Sequence, residues 1–132
     1  MSLILHHVGC LVEDIPAALA AYAGTPLASQ ASVPVAISSQ KVRVCFLPAG
    51  NETFVEFVEP APDNAALLRM LRRGTSYYHV GFFCVDLEDS VRNLLAAGAR
   101  ELARFHSEAF SGRECVFLVN AQQQMIELIE AP

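Results

Sequence analysis

The stretch HVGCLVEDI, residues 7–15, decides the reading of this chain, because it returns as HVGFFCVDL at residues 79–87. A second pair follows: CFLPAGNETFVEFVE, residues 45–59, returns as VFLVNAQQQMIELIE at residues 116–130. His7 and His79 are offset by 72 positions and Glu56 and Glu127 by 71, so one module has been duplicated with almost no slippage. Within the copies the His-to-Glu spacings are 49 and 48. Duplication of a fold explains repeated apolar and turn positions. It gives no packing reason to keep one His and one Glu in each copy. Two imidazoles and two carboxylates brought together by a pseudo-twofold axis make a metal site.

Outward from the two histidines, each copy reads as a strand. His7, Gly9 and Leu11 alternate with Val8, Cys10 and Val12, and His79, Gly81 and Phe83 alternate with Val80, Phe82 and Cys84. Asp14 or Asp86 then caps a helix. The first helix has Ile15, Leu19 and Tyr22 on one face, takes Pro16 in its first turn and stops at Gly24; the second has Leu87, Val91, Leu94 and Leu95 and stops at Gly98. Asp89 adds an acid to the positive end of the second helix, in the manner of a capping box. Three strand-like stretches follow each helix, with PAGNET and NAQQQ as the last turns. The chain therefore reads as a single α+β domain of two βαβββ modules, residues 3–60 and 77–131. The connector, residues 61–76, holds a short helix over 64–73, ended by Gly74.

Composition narrows the function classes. Net charge is −5 and the basic residues are scattered, so there is no positive stripe to follow a phosphate backbone and nucleic acid is not an expected partner. No apolar run approaches the roughly 20 residues that cross a bilayer, so no membrane partner is expected and the expected location is cytoplasmic. The four cysteines, Cys10, Cys45, Cys84 and Cys115, show no C-x-x-C spacing and lie in apolar stretches, as buried free thiols do. Apolar residues make up 53 % of the chain, an excess that points to a ligand cavity or a homodimer interface.

This pattern of His early and Glu late in each βαβββ copy resembles the vicinal oxygen chelate superfamily, which includes glyoxalase I, bleomycin-resistance proteins and extradiol dioxygenases. The resemblance covers essentially the whole chain. It implies two modules curled into a cupped, incomplete β-barrel with helices outside. It also implies four ligands for a divalent metal ion: His7 of LHHVG, Glu56 of FVEFVEP, His79 of YYHVG and Glu127 of MIELIE. Nickel, cobalt, zinc and manganese are the ions expected. Two stretches, QKVRVCFLPAGNETFVEFVEP from Gln40 and the connector from Pro60 through LLRMLRRG to YYHVGF, look most like methylmalonyl-CoA epimerase.

A single strand histidine is more often a satisfied core residue than a ligand, so it is the set of four related positions that singles these out. Two neutral imidazoles and two carboxylates balance a divalent ion and leave positions for a substrate with two neighbouring oxygens. The expected chemistry is enolisation of a small acyl-CoA or thioester substrate, with Glu127 or Glu56 as the catalytic base. The alternatives are an isomerase like lactoylglutathione lyase, and a non-catalytic small-molecule binding or resistance protein. A ring-cleaving dioxygenase fits least. Epimerisation needs a second acid, and the strand face read as Gln40, Val42, Val44 and Phe46 offers only Gln40 as a polar substrate contact. Lys41, Arg43, Arg69, Arg72 and Arg73 are candidates for meeting substrate phosphates or, more simply, solvated charges. Glu59 and Glu130 read as solvated or interface acids, His6 as pointing away from His7, and His106 as part of a mobile loop around SEAFSGRE.

Overall fold

The structure, a computed structural model, describes residues 3–132. The first copy comprises β1 (Leu3–Leu11), α1 (Ile15–Ala20), α2 (Pro26–Ser29), β2 (Val35–Ile37), β3 (Val42–Gly50) and β4 (Thr53–Pro60). The connector forms α3 (Ala65–Arg72), and the second copy is β5 (Tyr77–Cys84), α4 (Leu87–Ala96), β6 (Arg100–Ser107), β7 (Arg113–Val119) and β8 (Met125–Glu130). The fold is α+β, with its strands in one open eight-stranded sheet of order β2-β3-β4-β1-β5-β8-β7-β6. Each copy has the βαβββ order that the repeat predicts. The four-residue α2 and a short 3₁₀ turn before β3 and before β7 (Ser38–Gln40, Glu108–Phe110) carry no periodic signal in the sequence.

Local chemistry explains the ends of the elements. The Asp14 carboxylate accepts from the Ala17 amide at 3.2 Å and that of Asp86 from the Asp89 amide at 2.9 Å, each satisfying an amide left open by the first turn. Asp89 itself pairs with Arg92 at 2.8 Å, one turn along the helix. The β3–β4 hairpin turns through Asn51 and Glu52, both at positive φ, which matches the right-handed twist of the strands it joins.

The chain divides into two compact units, one of residues up to His7 with His79–Pro132 and the other of Val8–Tyr78. In Val8–Tyr78, Ile15 of α1 packs with Cys45, Leu47 and Phe57 of the hairpin, with Ala18 and Leu19 around them. In the other unit, Leu87 and Val91 of α4 pack with Val116, Leu118 and Leu128. Parallel pairing of β5 with β8 sets Gly81 opposite Glu127, and antiparallel pairing of β7 with β8 sets Phe117 opposite the same residue. No disulfide joins the four cysteines; Cys45, Cys84 and Cys115 are buried and Cys10 is half-buried. Among the described residues, no helix is long and apolar enough to cross a membrane.

Candidate metal centre

Three of the sequence-selected residues meet inside one unit. His7 comes from β1, His79 from β5 and Glu127 from β8, and the three residues are almost completely enclosed, with relative exposures of 0, 2 and 4 %. Nε2 of His7 lies 2.8 Å from Nε2 of His79, and Oε1 of Glu127 lies 3.1 Å from the first and 3.3 Å from the second. Three atoms that each offer a lone pair thus converge on one point. Two donors held at right angles about 2.05 Å from one ion would stand about 2.9 Å apart, close to the spacing seen here. Burial by itself pushes the Glu127 carboxyl up; its contacts with His7 and His79 outweigh that and hold it below the usual carboxylate range. That direction favours the carboxylate, the form a metal ligand needs.

Glu56 is buried on β4, opposite Phe46 in the hairpin register. Its charge is felt within its own unit, where burial first and the Glu56 carboxylate second push the Cys10 and Cys45 thiols up. His7, Glu56, His79 and Glu127 are all buried, and each offers one ligand atom. Two carboxylates and two neutral imidazoles compensate a divalent cation, and enclosed carboxylates are costly without such compensation. The residues fit a divalent ion.

The first copy of the motif is read differently in three dimensions at His6. The strand alternation sends it away from His7, yet Nδ1 of His6 lies 2.8 Å from Nδ1 of His7, with the rings nearly perpendicular. Phe83 and Phe110 flank His6, at centroid distances of 4.7 and 5.2 Å. Burial, then the neighbouring His7, push His6 down to about 4 against the opposing pull of Glu127, so it is neutral at pH 7. Phe110 stacks on the His7 ring at 22° and Phe117 meets the His79 ring edge-on at 90°. Gly81 leaves the space that the His7 ring fills. Sequence reasoning missed all of these. The glycine repeated two places after each histidine was the one available signal.

Other expectations need correction. Gln40 does not lie on β3. It sits half-buried in the preceding 3₁₀ turn, and Lys41 at φ 54 breaks the alternation between Gln40 and Val42. The Gln40 carbonyl accepts from Asn64 at 3.2 Å. His106 is not in a loop but on β6, opposite Glu114, with Nδ1 3.0 Å from the Gly112 carbonyl. SEAFSGRE runs from the end of β6 through a 3₁₀ turn into β7, with the Ser107 hydroxyl accepting from the Ala109 amide and Phe110 buried. Glu59 is not a free surface acid either, since its carboxylate accepts from the Ile15 amide at 2.9 Å and lies 3.6 Å from Arg43. Lys41 is 3.4 Å from Asp63.

Residues 6–117 match the model of the Glyoxalase/Bleomycin resistance protein/Dioxygenase superfamily. The chain belongs to this superfamily. No curated protein sequence matches it. Among solved structures, a hypothetical protein from Bacillus halodurans C-125 is 21 % identical with a TM-score of 0.81, over 100 % of this chain and 96 % of that one. Methylmalonyl-CoA epimerase from Mycobacterium tuberculosis is 22 % identical with a TM-score of 0.79, over 97 % of this chain and 88 % of that one. A variant of Streptomyces coelicolor methylmalonyl-CoA epimerase, in complex with 2-nitronate-propionyl-CoA, is 20 % identical with a TM-score of 0.79, over 99 % and 100 %. Identities this low carry the superfamily fold and leave the reaction to be argued from the site.

Proposed function

We propose that this chain is a metal-dependent enzyme that removes the proton next to the carbonyl of a small acyl-CoA or thioester substrate, in the manner of methylmalonyl-CoA epimerase. The observation that carries the reading is the enclosed convergence of His7 Nε2, His79 Nε2 and Glu127 Oε1 within 3.3 Å. The likeness to solved methylmalonyl-CoA epimerases supports the choice of substrate class. His7, Glu56, His79 and Glu127 would hold the ion, with nickel, cobalt, zinc and manganese as candidates. Bound there, the ion supplies Lewis-acid stabilisation of the negative charge that develops on the substrate oxygen.

The chain's own residues supply the proton chemistry. A carboxylate oxygen of Glu127 or Glu56 takes the α-proton, and the electron pair of the broken C–H bond passes into the enolate. Returning that proton to the same face restores the starting material. Return to the other face needs a second acid, and β3 carries no carboxylate from Val42 to Gly50. Phe110 stacks on the His7 ring and Phe117 meets the His79 ring edge-on, and both limit water around the imidazoles. Gln40 is the proposed polar contact for the substrate, to be tested as a rise in KM in Gln40→Ala.

The experiment is α-proton exchange in heavy water. Metal-loaded protein is expected to exchange the α-proton of methylmalonyl-CoA for deuterium faster than it interconverts the epimers, and Glu127→Gln is expected to abolish exchange and weaken metal binding more than tenfold. Turnover of a glutathione hemithioacetal without thioester exchange would move the assignment to a lactoylglutathione lyase-like isomerase. Inactivity on both by metal-loaded protein would leave a binding protein. Failure of the wild type to take up any of the four ions would overturn the metal reading.

A further inference from the structure

We propose that His6 is a positioning residue that sets the tautomer of the His7 ligand. The inference rests on the metal reading above and adds a residue that the four-ligand set does not contain. The two Nδ1 atoms face each other at 2.8 Å, a distance at which one must donate a proton and the other accept it. Nε2 of His7 is aimed at His79 and Glu127, so a ligand role requires its lone pair to be bare. A neutral imidazole with a bare Nε2 carries its proton on Nδ1. His7 therefore donates through Nδ1–H to Nδ1 of His6, which keeps its own proton on Nε2. The opposite order would place the His7 proton on Nε2, among the donor atoms, where it would compete with the ion.

This contact is a built feature of the unit. Successive strand side chains ordinarily leave opposite faces, so His6 must turn back along β1 to reach its neighbour. Phe83 and Phe110 hold it there from two directions, and Phe110 also stacks on His7, fixing both rings against one wall. An imidazole thus does for His7 what a carboxylate or backbone carbonyl usually does for a metal-bound histidine.

Zinc affinity, measured by chelator competition, tests this in wild type, His6→Phe and His6→Asn, with near-ultraviolet circular dichroism confirming the fold of each metal-free protein. Phenylalanine keeps the aromatic packing but cannot accept a proton; asparagine places an amide oxygen near the Nδ1 position. The expected result is a loss of about 10- to 100-fold in His6→Phe and recovery to within about threefold of wild type in His6→Asn. Long-range proton–nitrogen spectra of zinc-loaded wild type should show the His7 ring protonated at Nδ1, with that proton exchanging faster in His6→Phe. Unchanged zinc affinity in folded His6→Phe, or a His7 ring unprotonated at Nδ1, would overturn the inference while leaving the metal site intact. A wild type that binds no metal would overturn the metal reading itself, and this inference with it.

Discussion

Gly81 stands where any side chain would collide with His7. A methyl carbon built on it would lie 2.5 Å from Nε2 and 2.6 Å from Nδ1 of the imidazole. The glycine sits on β5 opposite Glu127 of β8, so the strand that carries His79 also makes room for the other imidazole. At Gly81 the glycine is a matter of space, since only hydrogen fits beneath the His7 ring.

Gly81→Ala is accordingly expected to displace the His7 ring. Overpacking at such a site costs about 1–3 kcal/mol, which thermal unfolding of the metal-free protein would register. Metal affinity should fall by more than tenfold in the same variant, because the His7 Nε2 can no longer meet the other donors. A variant that melts and binds metal like wild type would show that the ring can move aside without consequence.

Glu59 and Glu130 occupy equivalent repeat positions but have different work. Glu59 accepts from the Ile15 amide at the start of α1, whereas Glu130 is exposed and its carboxylate meets the Glu114 amide only at 3.5 Å. Glu59→Ala should lower stability by about 1 kcal/mol, the usual value of a helix-start hydrogen bond. Glu130→Ala should change it by less than about 0.5 kcal/mol. Urea midpoints at constant slope would separate them; equal losses would deny Glu59 its capping role.

The thiols give a pH dependence. Burial pushes Cys45 up, helped by the Glu56 and Glu59 charges against a hydrogen bond from the Phe57 backbone; it also pushes Cys84 up, against a hydrogen bond with Ser90. Both then stay protonated in the folded chain at a pH where the unfolded chain has begun to ionise, near 9.0. Stability contributed by the raised thiols is complete below that pH and is lost as pH rises above it. Unfolding followed from pH 7 to 11 should show this fall, and Cys45→Ser with Cys84→Ser should flatten it. At pH 8 a thiol reagent should label Cys10 first and the three buried thiols only on unfolding.

We also propose that the chain self-associates. Leu3, Ile4 and Leu5 are consecutive exposed apolar residues on β1, more than a short strand ordinarily leaves to water. Sedimentation at micromolar concentration should give a dimer, and Ile4→Lys should shift it toward monomer. A single monomeric species throughout would assign the apolar excess elsewhere.

The sequence by itself determined the duplicated βαβββ order, the helix caps at Asp14 and Asp86, and the identity of His7, Glu56, His79 and Glu127 as the residues to watch. These are legible because period-two and helical patterns are local, and because a chemical residue type kept in both copies has no packing explanation. The alternation misled at Gln40, where Lys41 in a left-handed conformation ends the strand, and at His6, where two phenylalanines hold the side chain against its neighbour. Only the tertiary structure decided that the Nε2 atoms of His7 and His79 meet at 2.8 Å, that Glu127 joins them, and that Gly81 clears the space. Those facts depend on strand register and on side-chain packing between segments some 70 residues apart in the chain, which no local pattern records.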